Sequence, residues 1–131
     1  MDNPWLRRRI LNFAHQGGAA EAPSSTLFAL DRAKEIGAHA LELDVHRTRD
    51  GHLVVCHDAT VDATTNGHGR IADMSLEELR ALDNAYHFAP EDKPEQRPYR
   101  GRAQTESNFR VATLEEVLER YRSIFLNLDI K

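Results

Sequence analysis

Glu42, Asp44, His46, His52, His57 and Asp58 all fall within one stretch of the chain, LELDVHRTRDGHLVVCHD, residues 41–58. Glu42 and Asp44 are two residues apart, a spacing that puts both on one face of a strand. Carboxylates so placed, with no thiolate among them, suit a hard divalent cation such as Ca²⁺ or Mg²⁺. A histidine beside them suits proton transfer near neutral pH. Two other readings of these residues stand. One is a solvated polar hairpin in which acids and imidazoles meet only water. The other is a site where histidine itself ligates Zn²⁺ or Mn²⁺.

The elements that must position these groups come next. Between Asp44 and Leu53 there is no room for a crossover helix, so the strands on either side of Asp50-Gly51 are antiparallel. An Asp-Gly pair favours a two-residue loop, because a type I′ turn needs positive φ at both positions. With that turn Arg49 faces His52, Arg47 faces Val54, Val45 faces Cys56 and Asp44 faces His57. Opposed residues share a face. Glu42, Asp44 and His57 are therefore expected to converge, with His46 on the same face one step nearer the turn. Val45 and Cys56 are expected to point into the other layer.

Upstream, Ile10 to Ala14 reads as a buried strand that ends at His15 and runs into Gly17-Gly18. Pro23 and the run Ser24 to Thr26 open a helix, with Leu27, Leu30, Ala33, Lys34 and Ile36 at near-helical spacing. Gly37 closes it. Ala40 to Val45 is the second strand. Strand, helix and strand in that order imply a parallel pair with a right-handed crossover. Ser75 to Glu78 and Thr113 to Glu116 are capping boxes that open two further helices. Ile124 to Ile130 is a last strand. Phe88 to Arg110, polar and rich in Pro and Arg, reads as a long loop: a lid, a binding loop or a disordered segment. His15, Glu42, Asp44, Asp129 and Lys131 then all stand at the carboxyl ends of strands, where active sites of parallel α/β sheets and barrels form.

The whole chain narrows the classes. Its 131 residues suffice for one domain with a core. A formal net charge of −4 with both signs interspersed argues against a nucleic-acid footprint. No apolar run approaches a membrane span, and the first fifteen residues lack the apolar core of a signal peptide, so a cytoplasmic protein is expected. Arg7 to Arg9 reads as a solvated face. Cys56 is the only cysteine and reads as a buried core thiol.

The order of these motifs resembles the glycerophosphodiester phosphodiesterases, a TIM-barrel family. The resemblance lies in AHQGG (14–18), PSST (23–26), GAHALELDV (37–45), TRDG (48–51), VVCHD (54–58), TTNGHG (64–69), TLEEVL (113–118) and LDIK (128–131). It implies that the chain is α/β, of TIM-barrel type, with a β-hairpin after the second strand. At this length it would supply about the first half of a barrel, with an open strand edge through which copies could associate. The resemblance also implies roles. His15 and His57 match the catalytic general acid and general base. Glu42 and Asp44 match metal ligands, and Asp129 stands where a third ligand, usually glutamate, is found. Lys131 matches a phosphate contact. The implied reaction is hydrolysis of a glycerophosphodiester to glycerol 3-phosphate and an alcohol with one Ca²⁺ or Mg²⁺, by way of a cyclic phosphate.

Several positions depart from the pattern. Gln16 replaces an arginine that reaches the phosphate, and it can donate a hydrogen bond but not a charged two-point contact. Ser24-Ser25 replaces Glu-Asn, and Ala63 stands where arginine is common. Two other functions are compatible with the residues. One is a lyase of the sphingomyelinase D type, although such proteins are disulfide-bearing and secreted. The other is a non-catalytic module that binds a phosphodiester or a partner.

Overall fold

The strand Ala40–Arg47 (β2) is the centre of the sheet because both of its edges and both of its faces are used. The computed structural model describes Arg7 and residues 10–131. Within them Phe13–His15 (β1) and Phe125–Ile130 (β4) run parallel to β2, and Leu53–Val55 (β3) runs antiparallel to it. The Glu42 and Asp44 carbonyls accept from Gln16 and Cys56, whereas the Val45 carbonyl accepts from Lys131. Carbonyls alternate in direction along a strand. β1 and β3 therefore share one edge of β2, and β4 takes the other.

Alternation along β2 separates two kinds of face. Leu41 and Leu43 are fully buried with Val55 against Leu27, Leu30 and Ala33 of helix α1 (Leu27–Glu35) and Val117 of helix α3 (Leu114–Arg120). Cutting Leu43 to Ala should cost about 2–5 kcal/mol, since a fully enclosed side chain leaves a cavity. A second cluster packs Val54 and Cys56 of the hairpin arm against Val61, Ile71, Leu79 and Val111, with Leu79 on helix α2 (Leu76–Arg80). A third joins Ala85, Ala103 and Phe109 with Phe28 and Tyr99, whose rings lie 4.8–5.4 Å apart by centroid. Segment 88–110 contains no α-helix or strand, only two short 3₁₀ turns, Arg102–Gln104 and Ser107–Phe109.

The helix starts follow their caps. Thr26 accepts from the Ala29 N–H, and the boxes at Ser75/Glu78 and Thr113/Glu116 are both closed in each direction. The first strand is shorter than expected. Ile10 is 82% exposed, and the Asn12 carbonyl already accepts from both His39 and Ala40, so pairing begins at Phe13. Of the basic run, Arg7 is exposed; Arg8 and Arg9 lie outside the described residues. No helix among the described residues is long and apolar enough to cross a membrane.

An Asp31–Arg120–Tyr121 network ties α1 to α3. Arg120 forks onto both oxygens of Asp31, and the Tyr121 hydroxyl donates to Asp31 (2.8 Å) and to the Leu27 carbonyl (3.1 Å). Burial raises the Asp31 carboxyl, but the Arg120 and Tyr121 hydrogen bonds outweigh it and hold the carboxyl below its usual 3.8. Glu116, beside Arg80, is held below 4.5 by the same balance. A depressed folded value stabilises the fold above the unfolded value and is lost as pH falls through the folded one. Stability should therefore fall below about pH 4, and Asp31→Asn should flatten that slope in acid denaturation. Tyr121→Phe should cost roughly 1–2 kcal/mol in urea unfolding.

Candidate active site

Two residues of β2, Glu42 and Asp44, stand on the face opposite Leu41 and Leu43. The parallel register sets Asp44 directly against Asp129 and Glu42 against Asn127. On the other edge it sets His15 against Glu42. Three strand ends thus bring His15, Glu42, Asp44, Asp129 and Lys131 to one end of the sheet.

Each side chain has a definite partner. His15 Nε2 lies 3.8 Å from Glu42 Oε2, with the imidazole 71% exposed. The Gln16 N–H donates to the Glu42 carbonyl (2.9 Å) and to its carboxylate Oε2 (3.3 Å). Lys131 Nζ bridges Asp129 Oδ2 (2.9 Å) and Asp44 Oδ1 (3.3 Å). Those hydrogen bonds, to Asp129 first and then to Asp44, raise the lysine's pKa. Asp44 is 2% exposed, and its Oδ2 is buried without a hydrogen-bond partner.

The hairpin corrects the expected register. Observed pairs are Val45 with Val55, His46 with Val54 and Arg47 with Leu53. Asp44 therefore meets Cys56, whose N–H donates to its carbonyl (3.0 Å), and His57 lies one residue further on. The loop holds three residues, Arg49, Asp50 and Gly51, because Thr48 pairs with His52 across it. Thr48 Oγ1 donates to Asp50 (2.6 Å) and accepts from the His52 N–H (2.9 Å), and Gly51 closes the turn at φ +88°. A left-handed glycine ending a three-residue loop shifts pairing by one relative to a two-residue turn. Cys56 consequently shares the Asp44 face instead of the Val45 layer. It is buried, as its sequence context implied, and burial pushes its thiol up to about 11.

His57 sits on the bend after β3, half-exposed. Its Nδ1 pairs with Asp58 Oδ1 (2.8 Å), and its carbonyl meets His46 Nε2 (3.0 Å). The structure thus joins His15 to Glu42 and Asp44 to Asp129 through Lys131, and gives His57 a partner in Asp58. Asp58 and Asn127 were assigned no role from the sequence. The His-Asp dipeptide was the available signal for the first, and the β4 register for the second.

A divalent cation is implied by the acidic trio, and the fit can be tested on the residues. The donors are carboxylates, the oxygen ligands that hard cations take. A buried carboxylate oxygen without a partner is costly unless something charged meets it, and Asp44 Oδ2 is such an atom. Among the described residues no group of three His, Cys, Asp or Glu stands as a preformed metal cluster. The donor chemistry fits; the carboxylates do not already close on a common point.

A sheet with parallel strands, helices on its outer face and acids, a histidine and a lysine at its strand ends is the arrangement of a TIM-barrel-type α/β protein. The chain belongs to the glycerophosphoryl diester phosphodiesterase family, whose model matches residues 15–131. It is 40% identical over 125 residues to a glycerophosphodiester phosphodiesterase of Caldanaerobacter subterraneus, covering 94% of this chain and 46% of that one. It is 44% identical over 92 residues to human glycerophosphodiester phosphodiesterase 1, covering 70% and 28%. Among solved structures, the family domain of a Mycobacterium tuberculosis protein matches with a TM-score of 0.82 at 25% identity, over 92% of this chain and 43% of that one. An Oleispira antarctica phosphodiesterase, solved with the product sn-glycerol-3-phosphate, matches with a TM-score of 0.73 at 30% identity, over 93% and 44%. The chain spans less than half the length of each of these four proteins.

Proposed function

We propose that this protein hydrolyses glycerophosphodiesters to glycerol 3-phosphate and an alcohol. The observation that carries the reading is the buried, partnerless oxygen of Asp44 at the carboxyl strand ends, flanked by Glu42 and Asp129 with His15 alongside. Glu42, Asp44 and Asp129 hold one divalent cation, Ca²⁺ or Mg²⁺. When bound, it neutralises phosphate charge and stabilises the charge of the transition state. Lys131 also steers the substrate, because its ammonium, already at the strand ends, meets a phosphate oxygen. His15 and His57 are the acid/base pair. One imidazole takes the proton of the substrate's own attacking hydroxyl, and the other gives a proton to the leaving alkoxide. Asp58 holds the His57 ring through Nδ1 and leaves Nε2 for the transfer. The resulting cyclic phosphate is opened by water, with the same two groups exchanging roles. Gln16 offers its amide to the phosphate as a neutral contact.

The test is release of glycerol 3-phosphate from a glycerophosphodiester by the full chain, followed by phosphorus NMR. We expect release with Ca²⁺ or Mg²⁺, and its loss when a chelator removes the cation. A cyclic phosphate as the final product would mark a lyase instead. No turnover despite cation and phosphodiester binding would mark a binding module.

A further inference from the structure

His57 and Asp58 lie in a break in the backbone hydrogen bonding. Before them the Cys56 N–H donates to the Asp44 carbonyl (3.0 Å), and after them the Ala59 carbonyl accepts from the Ile71 N–H (2.9 Å). Between these anchors, residues 57 and 58 make no backbone–backbone hydrogen bond. One side chain enters the gap. His46 Nε2 lies 3.0 Å from the His57 carbonyl oxygen. A carbonyl only accepts, so Nε2 carries a proton and donates it. That nitrogen therefore has no lone pair left for a metal or for an incoming proton. His46 stands on β2, the strand bonded along both edges, and pairs with Val54 across the hairpin. Its base is thus fixed by the sheet.

The oxygen that His46 holds belongs to the peptide joining His57 to Asp58. The setting of that plane matters because the two flanking side chains are bonded to each other, Nδ1 to Oδ1 at 2.8 Å. Side chains of adjacent residues on an extended chain point to opposite sides. A contact between them survives only over a narrow range of ψ at the first residue and φ at the second. Turning the peptide plane changes both angles and draws the ring off the carboxylate. The other end of the same peptide is held as well. Burial raises the Cys56 thiol, and a hydrogen bond from the Asp58 N–H partly opposes it.

We infer that His46 is a positioning residue for His57: by donating to the His57 carbonyl it fixes the 57–58 peptide and so keeps the His57 ring on the Asp58 carboxylate. His46 itself transfers no proton and holds no cation through Nε2. The consequence for turnover rests on the reading of His57 as an acid/base group; the consequence for the ring does not.

The test varies the donor. The amide nitrogen of Gln reaches about as far as Nε2, that of Asn only about as far as Nδ1, and Leu offers no donor. Three readouts are taken on the full chain: kcat and KM with the glycerophosphodiester that the parent turns over fastest, cation affinity by calorimetry, and the His57 ring nitrogen shifts by ¹⁵N NMR. We expect His46→Leu to lower kcat roughly tenfold, as a small misplacement of a reacting group does, with KM and cation affinity within about threefold. Its His57 nitrogens should move toward the shifts of a ring free to exchange tautomers. His46→Gln should restore kcat to within about threefold of the parent and return the parent's shifts. His46→Asn should behave like the Leu variant, and it carries the comparison if Leu fails to fold. Equal losses in the Gln and Leu variants would overturn the inference, because the imidazole and not its donor would then be what matters. Unchanged His57 shifts in a folded Leu or Asn variant would overturn it too, and loss of the cation would make His46 a ligand instead. If the parent turns over no glycerophosphodiester, the hydrolase reading falls, and the His57 shifts alone decide the role of His46.

Discussion

Changing Asp44 to Asn should remove divalent-cation binding, with affinity falling on the order of 10²-fold or more. Asp44 is the deepest of the three acids: its side chain is 4% exposed, against 20% for Glu42 and 58% for Asp129. The substitution is nearly isosteric and removes only charge and one oxygen ligand. One oxygen of Asp44 is already met by Lys131 and the other by nothing. A buried charge that is half-satisfied destabilises the fold, so the Asn variant should melt no earlier than the parent. The combination is diagnostic. Lost binding with an unchanged or higher Tm identifies a ligand held ready at a cost in stability, whereas lost binding with a lower Tm identifies a structural residue. Unchanged affinity for both Ca²⁺ and Mg²⁺, read by calorimetry, would sink the ligand assignment.

The second large effect concerns the two imidazoles. His15→Ala and His57→Ala should each lower turnover by about 10² or more while leaving cation affinity nearly intact, since a positioned general acid or base contributes on that scale. The two sites differ in support. His15 faces a carboxylate at 3.8 Å and is mostly exposed, whereas His57 is held by Asp58 at 2.8 Å. Asp58→Asn should therefore reduce turnover less than His57→Ala does, because the ring remains and only its orientation loosens. If either alanine variant loses the cation instead, that histidine is a ligand and the oxygen-only set is wrong.

Much of this arrangement was legible in the sequence because the signals were local and strong. Each capping box names its own helix start. Glu42 and Asp44 are two apart on a strand, so their common face follows from the pleat alone. Asp129 and Lys131 follow from the same alternation, and the parallel register with β2 turns that expectation into a direct Asp44–Asp129 pairing. What failed was decided by side-chain bonds that composition does not display. Asp50-Gly51 looks like a two-residue turn, but Thr48 reaches both Asp50 and His52 and extends the loop by one. The Asp50 carboxylate also accepts from the Leu76 N–H, which draws the loop toward α2. Ile10 and Leu11 look like strand residues, yet His39 and Ala40 both bond to the Asn12 carbonyl and the ladder starts at Phe13. The left-handed backbone at Gln16 and Ser25 was invisible for a related reason: neither residue type announces positive φ.

The three-residue loop at Arg49–Gly51 sets which side chains of the hairpin share a face. Its odd length sends Val54 and Cys56 to one face of β3 and Val55 to the other, where each meets a different apolar cluster. A one-residue slip of this pairing would exchange those faces wholesale, because side chains alternate with a period of two. Slipped to the register of a two-residue turn, Val55 would leave the cluster around Leu41 and Leu43, and His57 would take the position opposite Asp44. A slip of two would keep every face but separate Thr48 from His52. Thr48, Asp50 and Gly51 therefore hold the whole hairpin in phase, and with it the choice of which side chains face the acids.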